Sequence, residues 1–281
     1  MPAAVFEISN LQCEYLPNRP VLKLNKLHIP RGQLIFVIGK SGIGKSTFIE
    51  TLGLMNNTIA ASENTSLQFF PDASSEGMEL KNSWSLPNAR LSEFRRKYFS
   101  FIFQNTNLMP NFTAGENMMM SLLIKGRPMT EAKAEVLGVM EKLSLGPEVF
   151  DKKITALSGG QRQRLAFVRS VTAEFSVLFG DEPTGNLDEN TASELMGILK
   201  KVIKAEQKTG IIVSHDLRLA CEFADMVIPI TTVEDSEGQR SGVIEPKDII
   251  QCKEGAWYNG TAEAIEQPKT YLHQFLNKAV I

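Results

Sequence analysis

Two short stretches of this chain hold bare backbone where an anion could bind. In 39-GKSGIGKST-47 the glycines at 39 and 44 bracket four residues, and Lys45, Ser46 and Thr47 follow at once. Glycine lets consecutive backbone N–H groups turn inward around phosphate oxygens, a lysine ammonium reaches the outer phosphates, and a serine hydroxyl is a hard ligand for Mg2+. Gly39, Ser41, Gly42, Gly44, Lys45, Ser46 and Thr47 are therefore the candidate phosphate-binding set. The second stretch, 157-LSGGQRQR-164, lies far downstream. There a serine and two glycines open a basic segment with helical patterning. A helix N-terminus attracts anions through its unpaired N–H groups and its dipole.

Carboxylates supply the remaining chemistry. In 177-VLFGDEP-183 an apolar run ends on Asp181 and Glu182. The first is placed to hold the Mg2+ shell, often through water, and the second to act as general base or water-orienting group. His215 closes another apolar run, 211-IIVSH-215, and a histidine at the carboxyl end of a core strand is placed to contact a γ-phosphate. With Lys45, these groups suffice for phosphoryl transfer to water, which depends mostly on positioning and charge stabilisation. His28 and His273 have no such context and read as incidental.

The elements that must carry these groups are legible as alternating types. Apolar or β-branched runs at Val5–Ile8, Leu34–Ile38, Phe99–Phe103, Val177–Phe179, Ile211–Val213 and Met226–Ile230 read as strands, several of them covered on both faces. Between them lie helical patterns such as 190-NTASELMGILKKVIKAEQ-207. The expected fold is α/β, a mainly parallel sheet with an antiparallel β subdomain and a helical subdomain at about 105–165. Residues 56–92, rich in Ser, Asn, Glu and Pro, read as a partly exposed insertion with short strands. In the tail, Tyr271, Leu272, Phe275, Leu276, Ala279 and Val280 recur at helical spacing, and the expectation is packing onto the domain's own core.

Bulk properties narrow the class. The 281 residues are 43% apolar, ordinary for a globular chain, and the net charge of −2 offers no positive field for nucleic acid, so no nucleic-acid partner is expected. No apolar run approaches the ~18–20 residues of a membrane span. The start, MPAAVFEISN, lacks a basic then apolar leader. Cys13, Cys221 and Cys252 form no metal-spacing pair, consistent with a reduced cytosolic compartment.

In this order GKSGIGKST, LSGGQ, VLFGDEP and SH resemble the ATP-binding cassette (ABC) ATPases over residues 5–245, with 246–281 as a C-terminal extension. The wording DEPTGNLD is similar to the branch of lipoprotein-releasing, macrolide-efflux and cell-division cassettes. The resemblance implies ATP and Mg2+, and a head-to-tail pair of cassettes in which the signature of one closes over ATP held by the other. Ser158, Gly159, Gly160 and Gln161 would then serve a partner's nucleotide, which gives the second anion site its purpose. It also implies adenine stacking on Tyr15, a Mg2+- and water-sensing role for Gln104, and an interface role for the loop Asn186, Leu187 and Asp188. A membrane subunit is expected to dock near Gln104–Ile124, with Met118, Met119 and Met120 either walls of its groove or plain core of the helical part, and with the chain peripheral on the cytoplasmic face of the inner membrane. A soluble ABC ATPase acting on ribosome or DNA is the alternative, but such proteins carry two cassettes or a coiled coil, and neither is present here. A regulatory cassette without turnover is opposed by Lys45, Glu182 and His215. The chain departs from the branch by extra length near 60–90, by Gly180 before the aspartate, and by the longer tail.

Overall fold

Alternation within the apolar runs decides the layering. In the computed structural model, which describes residues 3–60, 62–236 and 238–278, strands β3 (Leu34–Ile38) and β8 (Thr209–Val213) are buried at every position. Leu34, Phe36 and Ile38 join one apolar cluster, while Ile35 and Val37 join another. That is the period of two that a strand imposes, and here both faces are covered. Parallel pairing sets β9 (Met226–Pro229), β3, β8, β7 (Val177–Asp181) and β6 (Phe99–Ile102) side by side in that order.

The first cluster lies under helices. It collects Met118 of α3 (Ala114–Ile124), Val136 of α4 (Met129–Lys142), Leu165 of α5 (Gly159–Thr172), Leu195 of α6 (Glu189–Glu206), Leu219 of α7 (Leu217–Phe223) and Leu272 of α8 (Pro268–Lys278). The second cluster lies between the parallel sheet and a mostly antiparallel one, with α1 (Lys45–Leu52) contributing Phe48 and Leu52. That second sheet runs β10 (Thr231–Glu234), β11 (Arg240–Ile244), β2 (Arg19–Pro30), β1 (Ala4–Leu16), β4 (Ser66–Phe69) and β5 (Met78–Glu79). Helix α2 (Asn88–Tyr98) then leads into β6. Rings of Phe6, Phe69, Phe99 and Phe179 stitch the two sheets together, with centroids 5.2–6.4 Å apart.

Each expected strand is present, and the 190–207 pattern is α6. The 56–92 segment contains β4, β5 and the start of α2, tied to the antiparallel sheet. The helical part extends beyond residue 165, because α5 continues to Thr172. Strands beyond the expected runs are also present, including β2, β10 and β11. Strand β2 has mixed composition but alternates Leu22 and Leu24 inward. The extension, before its helix, adds β12 (Ile250–Lys253), β13 (Ala256–Tyr258) and β14 (Ala264–Ile265) antiparallel to the free edge of β9. Covering that edge hides N–H and C=O groups that would otherwise pair with another chain. Leu272 is fully buried, Tyr271, Phe275 and Leu276 are half-buried, and Ala279 and Val280 lie outside the described residues. No helix among the described residues is long and apolar enough to cross a membrane. Because Leu272 sits in the main core, Leu272→Ala is expected to cost ~2–5 kcal/mol of unfolding free energy, measured by urea titration. A loss near zero would mean that the extension is not integrated into the domain.

Candidate active site

The loop after β3 is shaped for close approach. Gly42 and Gly44 adopt φ of +76° and +100°, values that glycine alone reaches without steric cost. They turn the chain so that α1 starts at Lys45, where no side chain caps the first N–H groups of the helix. Lys45 is 7% exposed and folds over its own loop, its Nζ donating to the carbonyls of Gly39 and Lys40, each at 2.9 Å. Burial lowers its pKa, while nearby Glu182 and Asp181 oppose that shift. These contacts hold a cation beside the glycine loop and the carboxylates that follow β7. Tyr15, 58% exposed, lies beside the same loop, and its hydroxyl is 3.2 Å from Thr47 Oγ1.

The carboxylates arrive from β7. Burial raises the pKa of Asp181 and Glu182 pushes it further up, whereas a hydrogen bond from the Ser46 hydroxyl and the charge of Lys45 act downward. Ser46 and Asp181 are thus in contact and offer hard oxygen donors, a set that fits Mg2+. Among the described residues no cluster of three or more His, Cys, Asp or Glu could cage a metal alone, so phosphate oxygens would have to complete its shell. Glu182 sits at φ +46°, a left-handed conformation that costs a non-glycine residue roughly 1–2 kcal/mol. Its N–H donates to Val213 O at 3.0 Å, and its Oε1 lies 3.4 Å from His215 Nδ1. A cavity of about 150 Å3 beside this pair, walled also by Thr184, Gly185 and Ser214, has room for water. Gly180 has a local reason as well: a Cβ there would fall 2.7 Å from Ile212 Cδ1 and 3.2 Å from Pro183 Cγ.

Tyr15, the 39–47 loop, Asp181, Glu182 and His215 therefore converge. Gln104 is exposed, two residues past Ile102, just as Glu182 is two past the paired Gly180, and it makes no hydrogen bond or ion pair among the described residues. The 158–161 stretch caps a different helix. Ser158 Oγ accepts from the Gln161 N–H and the Gln161 side chain accepts from the Ser158 N–H, a reciprocal cap for α5. Asp188 likewise caps α6 through Thr191. Gly159 is exposed, and a Cβ built on it would meet nothing within 4 Å; at Gly160 the nearest atom is Leu187 Cδ2 at 3.9 Å. Neither has positive φ. The fold of this chain alone therefore does not require glycine at these two positions.

One expectation is corrected. Met118 and Met119 are 0% and 3% exposed and belong to the helical core, so they do not line an open groove. Helix α3 turns them inward with Leu122 at i, i+3 and i+4 spacing. The apolar side chains that this segment leaves outside are Phe112, Leu123 and Ile124, exposed by 39%, 37% and 61%. A residue that sequence reasoning missed is Gln163, 2% exposed on α5, whose amide donates to Pro183 O at 2.6 Å. Its only sequence signal was a polar residue on the inward face of an amphipathic helix.

Residues 22–185 match the family described as ABC transporter. The Myxococcus xanthus protein named lipoprotein-releasing system ATP-binding protein LolD is 36% identical over 200 residues, covering 71% of this chain and 83% of that protein. Its namesake in Alcanivorax borkumensis is 34% identical over 203 residues, covering 71% and 82%. Among solved structures, the dimeric cassette MJ0796, a bacterial ABC transporter cassette, superposes with a TM-score of 0.67 at 28% identity over 80% of this chain and 93% of that one. A dimeric post-hydrolysis state of MJ0796 bound to ADP and Pi gives a TM-score of 0.66 at 26% identity, with the same coverage.

The two adjacent carboxylates, one of them partly desolvated, make a stability test possible. Asp181→Asn removes one charge of the pair and is expected to raise the melting temperature of the nucleotide-free chain. It should also weaken Mg2+-dependent ATP binding by about tenfold or more, about 1.4 kcal/mol. Thermal melts with and without Mg2+-ATP read both effects, and an unchanged Mg2+ dependence would count against the assignment.

Proposed function

The chain belongs to the ABC transporter family of ATP-binding cassette ATPases, and from that premise we propose that it is the ATP-hydrolysing subunit of a membrane complex that works as a pair of identical cassettes. The observation that carries the pairing is the open space at Gly159. A glycine kept where its own chain would accommodate a side chain fits a backbone that must receive something from outside. At the N-terminus of α5 that something is an anion, and the similarity to dimeric cassettes supports the γ-phosphate held by a second copy. Each ATP then lies between the 39–47 loop of one chain and Ser158, Gly159, Gly160 and Gln161 of the other. Such an arrangement is isologous and closes on itself.

Within one site the geometry, read together with the family membership, supports these roles. Tyr15 stacks on the adenine, its ring standing free beside the loop. The N–H groups of residues 42–47 and the ammonium of Lys45 hold the phosphates. Ser46 and Asp181 would hold Mg2+, which neutralises charge on the β and γ oxygens when bound. Glu182 orients water drawn from the adjoining cavity and accepts its proton, while His215 steadies Glu182 and faces the γ-phosphate. Gln104, just past the end of β6 as Glu182 is just past β7, senses the filled site and connects it to the helical part. The loop Asn186, Leu187 and Asp188 lies at the dimer interface.

The similarity to proteins named for lipoprotein release supports a membrane partner, with this chain on the cytoplasmic face. Its docking surface is the apolar exterior of the segment after Gln104, formed by Phe112, Leu123 and Ile124. ATP-driven closure of the pair would move that partner.

Two outcomes test this reading. Gly159→Ala is expected to leave the melting temperature unchanged or slightly raised, since alanine favours a helix over glycine by about 0.5–1 kcal/mol, yet to lower ATPase turnover by about 100-fold. Full activity in that variant would remove the case for a partner's phosphate at α5. Ile124→Glu should preserve the chain's own ATPase rate and abolish stimulation by the membrane subunit co-purified with the wild type; retained stimulation would place docking elsewhere.

A further inference from the structure

The helix that serves the partner's ATP is bonded to the turn that serves the chain's own. Gln163 follows Ser158 by five positions, about 7 Å along the axis of α5 at 1.5 Å per residue. Its side chain is almost fully buried, and its amide donates to the carbonyl of Pro183, the residue next to Glu182. Glu182 itself is held at positive φ by short-range bonds on either side, its N–H to Val213 O at 3.0 Å and its carbonyl accepting from Gly185 N–H at 3.1 Å. Leu187, further along the same turn, approaches Gly160. The start of α5 and the catalytic turn therefore meet at two points within a single chain.

We infer that Gln163 is a positioning residue that makes the two ATP sites of the pair cooperative. The inference rests on the paired reading above and adds a route between the sites. When Ser158 and its neighbouring N–H groups engage the partner's γ-phosphate, α5 moves as a rigid rod. The Gln163 amide then carries Pro183 with it and sets the Glu182 carboxylate of its own site. Amide-to-carbonyl geometry suits this task because the bond is short, directional and shielded from water, so a small shift of the helix is not absorbed by solvent. A loss of this link leaves Glu182 misplaced in the closed pair, and a misplacement of about 1 Å can cost up to 100-fold in rate.

The test uses the full chain and steady-state ATPase rates over a range of ATP concentrations. Wild type is expected to show a Hill coefficient well above one, with two as its ceiling. Gln163→Met, similar in shape but without the donor, should bring the coefficient to one and lower kcat by about tenfold or more, with Mg2+-ATP affinity of the dilute chain unchanged. Gln163→Leu repeats the measurement should the methionine variant not fold. An unaltered Hill coefficient in a folded variant, or a non-cooperative wild type, would overturn the inference. A second arm separates it from the paired reading. Glu182→Gln with ATP should give a stable dimer by light scattering, and adding Gln163→Met to it should leave that dimer intact. If Glu182→Gln alone stays monomeric, the paired reading itself fails. If only the double variant does, Gln163 supports the signature rather than linking the sites, and the inference falls.

Discussion

Hydrogen bonding between three parallel strands sets the level at which the glycine loop, the acidic turn and His215 emerge. Val37 of β3 and Asp181 of β7 both pair with Val213 of β8, so the three strands end in one row. From that row leave the glycine loop with Lys45, the acidic turn with Glu182, and the segment carrying His215. A slip of one residue in any of the three would turn its side chains to the opposite face. The clusters on both faces oppose that slip, because Phe36 and Val37, or Ile211 and Ile212, would exchange environments. Packing within the sheet thus protects the alignment of the groups at its ends.

The same row concentrates unfavourable terms. Asp181 and Glu182 stand together with partial desolvation, Glu182 has a left-handed backbone, and Lys45 loses hydration beneath its loop. These are local costs that fit the polyanion and cation proposed for this site. Compensation comes from opposite charge, from the Ser46 hydroxyl on Asp181, and from the Val213 carbonyl that receives the Glu182 N–H.

Helix α5 relates the site to the rest of the chain. Its reciprocal cap leaves Gly159 open to the outside, Gln163 ties it to Pro183, and Arg169 donates to the carbonyls of Asn107 at 2.9 Å and Thr106 at 3.0 Å, just beyond Gln104. Burial depresses the Arg169 pKa, as expected for a guanidinium used as a strut inside the fold. One helix thus joins the open glycines at its start, the turn after Glu182 and the segment leading to α3. Asn117, fully buried, fastens that segment to α3 through Met109 and Thr113.

The residue sequence by itself determined the chemistry. Glycine spacing, the Lys-Ser pair, the Asp-Glu at a strand end and LSGGQ are local patterns, and local backbone geometry largely dictates what they can do. The parallel core was equally legible, since runs such as Leu34–Ile38 have no polar face to offer solvent. Other features depended on tertiary structure. Strand β2 mixes polar and apolar residues because only one of its faces meets the core, and β12–β14 have meaning only beside the edge of β9. The direction in which the methionines of α3 face was set by the helices packed around them, which turned an expected groove into core. The Gln163 bond joins residues of two elements, and no spacing rule predicts it. Periodicity records how a segment meets its immediate environment, whereas contacts between segments depend on where each is finally packed, and only the folded chain supplies that.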